Sequence, residues 1–167
     1  MEFLYFDASA IVKRYVEEKG SLWVKLRIKD EQNIIYISLI TKAEVAAAFS
    51  KRYRLGDISE DQHRQIYQDF QTDVKRDYKI VQVEEQVISL AMDLATNNPL
   101  RAYDSVQLAT GLLLNRELSI MREEKINFVC ADQNLCQIGI EEGLVVSNPE
   151  KLGISDESLK ETEITES

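Results

Sequence analysis

Two rhythms of apolar and polar positions alternate along this chain. Short, nearly unbroken apolar runs fall at 3–6 (FLYF), 34–39, 79–82, 127–130 and 144–146. Between them lie longer stretches with helical spacing, at 8–17, 21–30, 41–54, 59–76, 84–96, 99–116 and 133–141. Apolar runs without polar alternation suit strands covered on both faces. Strands alternating with helices predict a parallel sheet with helices on each side. The expected fold is therefore α/β: a three-layer α/β/α sandwich around a mostly parallel central sheet. Asn98-Pro99 reads as the cap and first residue of the sixth helix. No internal repeat is visible. Residues 1–150 form one domain, closed by Asn148-Pro149, and residues 151–167 form an acidic tail whose composition predicts mobility.

Composition narrows the class. Apolar residues make up 44% of the 167 positions and charged residues 29%, as in a globular rather than a disordered chain. No apolar run approaches the ~20 residues of a bilayer span, and Met1-Glu2 leads straight into the first strand, so neither a membrane segment nor a signal peptide is expected and a cytoplasmic location is the default. Cys130 and Cys136 match no zinc or thioredoxin spacing and read as reduced, ordinary cysteines. The one histidine, His63, sits in a polar helical stretch and reads as solvated, which argues against a Ser-His-Asp triad. Net charge is −9, of which about −4 belongs to residues 155–167. The balance is compatible with a polyanionic substrate without pointing to one.

The chemistry concentrates in four acids. Asp7 and Asp132 each follow an apolar strand, where a lone buried carboxylate is costly. In parallel α/β folds ligands bind beyond the carboxyl ends of the strands, so both acids can protrude into one cleft. Asp104 lies in a helix that is apolar nearly all round, expected in its second turn and too deep to cap; the plainer alternative is an ion pair with Arg101. Glu44 follows the second strand. It fits a capping box with Thr41, yet the same position faces the rim of Asp7. Ser9 either bonds to Asp7 or a bound water, or caps the following helix. Four carboxylates with no His or thiolate describe a hard-cation site for Mg²⁺ or Mn²⁺, and like charges so close need a cation between them. Phosphodiester chemistry suits such a site, and a metal that activates water removes the need for a side-chain base. Lys13, Arg14 and Lys42 are candidates for steering phosphates, or else ordinary solvated charges.

Taken in order, FDASAIVKRYVEE, ISLITKAEVAAAF, LRAYDSVQLATGLLL and FVCADQNLCQIGIEEGLVVSNPE resemble the four motifs of the PIN-domain ribonucleases, in particular the VapC-type toxins. The match runs from the first strand to Pro149. The resemblance implies an Mg²⁺- or Mn²⁺-dependent endoribonuclease acting on RNA, with Asp7, Glu44, Asp104 and Asp132 at the metal and Ser9 as supporting hydroxyl. Of these, Asp7 and Asp104 are the direct ligands to expect, with Asp132 acting through water. The resemblance also implies an antitoxin partner and, as in many members, a homodimer. Cys130 stands where the family often carries Thr or Ser, and the acidic tail is no part of the family core. The main alternative is a catalytically inactive PIN-like module that binds RNA or protein. An Asp-nucleophile phosphatase would need an acid where Ser9 stands, and a phosphoacceptor signalling domain would be shorter.

Overall fold

The computed structural model describes residues 1–153; the part of the acidic tail from residue 154 lies outside them. The chain runs β1 (Phe3–Phe6), α1 (Ala8–Ile11) tightening into a 3₁₀ turn (Val12–Arg14), α2 (Ser21–Lys29), β2 (Ile34–Ser38), α3 (Thr41–Arg54), α4 (Glu60–Arg76), β3 (Tyr78–Val81), α5 (Glu85–Asn97), α6 (Ala102–Arg122), β4 (Ile126–Val129), α7 (Gln133–Glu141) and β5 (Val145–Ser147). The five strands form one sheet in the order β3-β2-β1-β4-β5, and every pairing is parallel. The three-layer α/β/α sandwich expected from the apolar runs is the observed architecture. No helix among the described residues is long and apolar enough to cross a membrane.

Alternation along β1 explains the two outer layers. Phe3 and Tyr5 face a core shared with Ile126 and Phe128 of β4 and with α5, α6 and α7. Leu4 and Phe6 face the opposite core, with Ile35, Ile37, Trp23, Val45, Phe49 and Phe70. Burying a side chain of this size contributes roughly 1.5–3 kcal/mol, so β1, buried on both faces, anchors the sheet. The Tyr5 and Phe128 rings stack at 5.3 Å. Gly111 lets α6 lie directly on that pair, because a Cβ there would meet the Phe128 ring at 2.7 Å. The middle of α6 is thereby held against the sheet.

Four local expectations are corrected. The first helix does not run from 8 to 17. It narrows after Ile11 into the 3₁₀ turn, in which the Tyr15 amide donates to Val12 O at 3.0 Å and the Tyr15 ring reaches Phe49 and Phe70. Pro99 does not open α6. Asn98 is extended, as residues before proline tend to be, and closes α5, so α6 begins at Ala102 and continues to Arg122. Asp104 accordingly stands in the first turn of its helix, not the second. The Thr41–Glu44 capping box does not form either: Thr41 is already helical and no side chain caps α3.

Candidate functional site at the C-terminal rim

Asp7 is built into the end of β1. Its amide donates to Val129 O of β4 at 3.0 Å, and its side chain caps α1 by accepting from the Ala10 amide at 3.0 Å. Ser9 Oγ donates to the same carboxylate, 2.7 and 2.9 Å from its two oxygens, and accepts from the Ala131 amide at 2.9 Å. Ser9 is therefore not the helix cap. It is a bolt between the loop after β1 and the loop after β4. Asp132, at the end of the second loop, caps α7 by accepting from the Leu135 amide at 2.8 Å. Support beside Asp132 comes from sulfur, with Cys130 Sγ donating to Asp132 O at 3.3 Å.

Glu44 and Asp104 arrive on helices from opposite faces of the sheet, α3 and α6. Gln107, one turn beyond Asp104 and buried, donates from Nε2 to Glu44 Oε1 and to Thr41 Oγ1, each at 2.8 Å. Its Oε1 accepts from the Tyr5 hydroxyl at 2.6 Å. One side chain thus ties β1, α3 and α6 together and holds Glu44 toward the rim, which is why the Thr41–Glu44 box is replaced. Asp104 accepts from Arg101 Nε at 2.8 Å, so the ion pair weighed as the plainer reading is present.

The charges of these acids reach one another. Burial pushes the Asp7 carboxyl up to about 7, with the charges of Glu44 and Asp104 adding, against the opposing bonds from Ser9 and Ala10. Asp7 is only 3% exposed. Burial also raises Glu44, and Asp104 adds to it, opposed by Gln107 and Arg101. The Tyr5 phenol, wholly buried, is pushed up as well. Arg101 is raised first by its bond to Asp104, and Asp132 and Glu44 add to that. All four acids therefore act on one another or on one guanidinium at the carboxyl edge of the sheet. Glu44 and Asp132 line a cleft of about 610 Å³ together with Ser9, Lys51, Arg52 and Glu150.

The donor set is all oxygen, and it includes a buried carboxylate that no Lys or Arg pairs with among the described residues. That chemistry fits a hard divalent cation. As the side chains stand, no three His, Cys, Asp or Glu among the described residues form a ready-made ion site, for Asp104 is turned to Arg101 and Glu44 to Gln107.

The basic candidates fare differently. Lys13 is buried between Glu18 (2.9 Å) and Glu150 (2.8 Å). Arg14 leans toward Asp73, away from the cleft. Lys42 is exposed. Lys51 and Arg52, which the sequence reading did not single out, line the cleft beside Lys13. Gln107 was also missed. A glutamine one turn after Asp104, inside an apolar helix, was the available signal.

No protein-family model matches this sequence, and no curated protein matches it. Solved structures do resemble it. A chain of a toxin–antitoxin complex from Klebsiella pneumoniae is 18% identical, with 87% of this chain and 97% of that one aligned at a TM-score of 0.57. A chain of VapBC2 from Rickettsia felis, solved bound to a DNA fragment from the promoter, is 15% identical over 87% and 98%, with a TM-score of 0.60. A chain of FitAcB from Neisseria gonorrhoeae is 13% identical over 87% and 97%, with a TM-score of 0.59. The likeness is one of fold, and the fold is the PIN-like α/β/α sandwich expected from the sequence.

Proposed function

We propose that the chain is a divalent-metal-dependent endoribonuclease and serves as the toxin of a type II toxin–antitoxin pair, with RNA as substrate and an antitoxin protein as partner. The toxin role and the partner rest on a fold shared with chains of toxin–antitoxin complexes. One observation carries the chemistry. Asp7 is buried at the carboxyl edge of the sheet, faces the charges of Glu44 and Asp104, and pairs with no Lys or Arg among the described residues. Asp7 and Asp104 would hold Mg²⁺ or Mn²⁺ directly, Glu44 would complete the site from α3, and Asp132 would act through water. Ser9 fixes the Asp7 carboxylate and joins its loop to that of Asp132. Gln107 aims Glu44. A divalent cation bound here supplies positive charge for the phosphodiester and makes water a stronger nucleophile.

The test is cleavage of a mixed RNA pool by the purified protein in Mn²⁺, with and without EDTA, followed by sequencing of product ends. Cleavage should need the metal and should vanish in Asp7→Asn and Asp104→Asn, with circular dichroism unchanged. Cleavage that survives in both variants refutes the assignment. A second reading, an inactive RNA- or protein-binding module, draws on Asp104 and Glu44 being engaged by Arg101 and Gln107. Calorimetry showing no affinity of the folded protein for Mn²⁺ would favour it.

A further inference from the structure

Arg101 sits at the edge of the acidic site in an arrangement that a plain surface ion pair does not need. Among the described residues it is the one Lys or Arg that makes an ion pair with any of the four acids. Its charge also lies in the field of Asp132 and Glu44. Only Nε is engaged; the four N–H donors of its two terminal nitrogens bond to nothing among the described residues. The side chain is 80% exposed, whereas Asp104 is 16% exposed.

The backbone beneath this side chain is fixed. Arg101 is the cap residue of α6, its carbonyl accepting from the Ser105 amide at 3.0 Å. Two residues earlier, Pro99 O accepts from Asn134 Nδ2 at 3.0 Å, which ties the loop to α7 just beyond Asp132. Its side chain makes no cap bond, so the helix start does not depend on it. A guanidinium on a fixed base, exposed and held by a single bond, can turn without disturbing the fold.

We propose that Arg101 is a two-position counter-ion: it neutralises Asp104 in the ion-free chain, and when a divalent cation takes Asp104 it turns to a phosphate of the RNA backbone. This rests on the nuclease reading above. An exposed ion pair is weak, because solvent screens it and two side chains lose freedom. A hard divalent cation competes with it readily for a carboxylate. Once released, the guanidinium offers a planar fork that matches phosphate oxygens two at a time. Arg101 thus opposes metal binding and favours substrate binding. A residue that merely shapes the site moves both in the same direction.

The experiment uses the full chain and Arg101→Ala, with Arg101→Lys as the charge-retaining control. Mn²⁺ is titrated calorimetrically without RNA. A short mixed-sequence single-stranded RNA is then titrated in Ca²⁺ across a salt series. Arg101→Ala should bind Mn²⁺ about two- to five-fold tighter, the size of effect that removing an exposed ion pair gives. It should bind RNA more weakly, with the slope of log affinity against log salt reduced by about 0.7, one phosphate contact. Arg101→Lys should fall between. Wild-type and Arg101→Ala proteins that bind Mn²⁺ equally, or RNA equally, overturn the proposal and leave the metal site standing. Failure of both proteins to bind Mn²⁺ overturns the metal site along with it.

Discussion

Two sets of carboxylates stand along the same cleft in opposite surroundings. Glu18 and Glu150 share Lys13, itself only 2% exposed, and Glu18 also pairs with Arg52. These charges are matched by cations, and they strap the segment after β5 to the turn after α1. Glu44 stands on the same cleft and Asp7 is buried against Ser9, which also lines it; they meet hydroxyl, amide and backbone donors but no cation among the described residues. The first set does what ion pairs inside folds do. The second is desolvated, and burial pushes Asp7 up to about 7 and raises Glu44, the kind of perturbation that functional sites show. The contrast separates the carboxylates that build the protein from those available to a ligand.

The sharpest way to break this contrast is at Asp7. Asp7→Asn should lower RNA cleavage in Mn²⁺ by at least about 100-fold, beyond the 10–100-fold typical of losing an outer-shell partner. The same variant should be more stable than wild type in EDTA at pH 8. The folded Asp7 carboxyl titrates near 7 against an ordinary value of 3.8, so its contribution to folding is complete below about pH 3.8 and is lost as pH rises through 7. The shift corresponds to at most about 4 kcal/mol. Urea unfolding at pH 5 and 8 should show wild type losing stability across that interval and Asp7→Asn losing less. Mn²⁺ should raise the wild-type Tm more at pH 8 than at pH 5.

Lys13→Met tests the other set. It should cost about 2–4 kcal/mol in urea unfolding, at or below the range for breaking a buried pair because both carboxylates can reach water. Its sign is opposite to that of Asp7→Asn. If Lys13→Met were neutral, the distinction between structural and available acids would fail. A smaller effect is expected at Gln107→Leu, about 1–3 kcal/mol, from leaving the Tyr5 hydroxyl without its acceptor and Thr41 and Glu44 without their donor. Cleavage should fall with it, since Glu44 is no longer aimed.

The central strands were legible because burial on both faces makes each a dense apolar run, and the parallel sheet followed from the helices between them. Asp7 and Asp132 were legible for the same reason: a charged residue ending such a run has few places to go. What local spacing misread were choices decided far along the chain. Thr41 and Glu44 have the spacing of a capping box, but Gln107, more than sixty residues later, takes both. Ser9 has the character of a cap, but the amide of Ala131 claims it. Pro99 looked like a helix start, yet it opens the short connection by which Asn134 of α7 fastens the loop before α6. Lys13 looked like a solvated rim charge because nothing near it announces Glu150.

Because every strand points the same way, the two ends of the domain are unequal neighbours of the chemistry. Met1 precedes β1 at the edge where the strands begin, far from the acids. At the other end, Gly20, with a φ of +88°, leaves room for Pro149, whose carbonyl oxygen lies 2.8 Å from where a Cβ would stand, and Glu150 then joins the cleft wall. The segment that follows β5 is therefore carried past the cleft at Glu150, on the edge of the sheet where the strands end, and a Cβ at position 20 would push Glu150 off that wall.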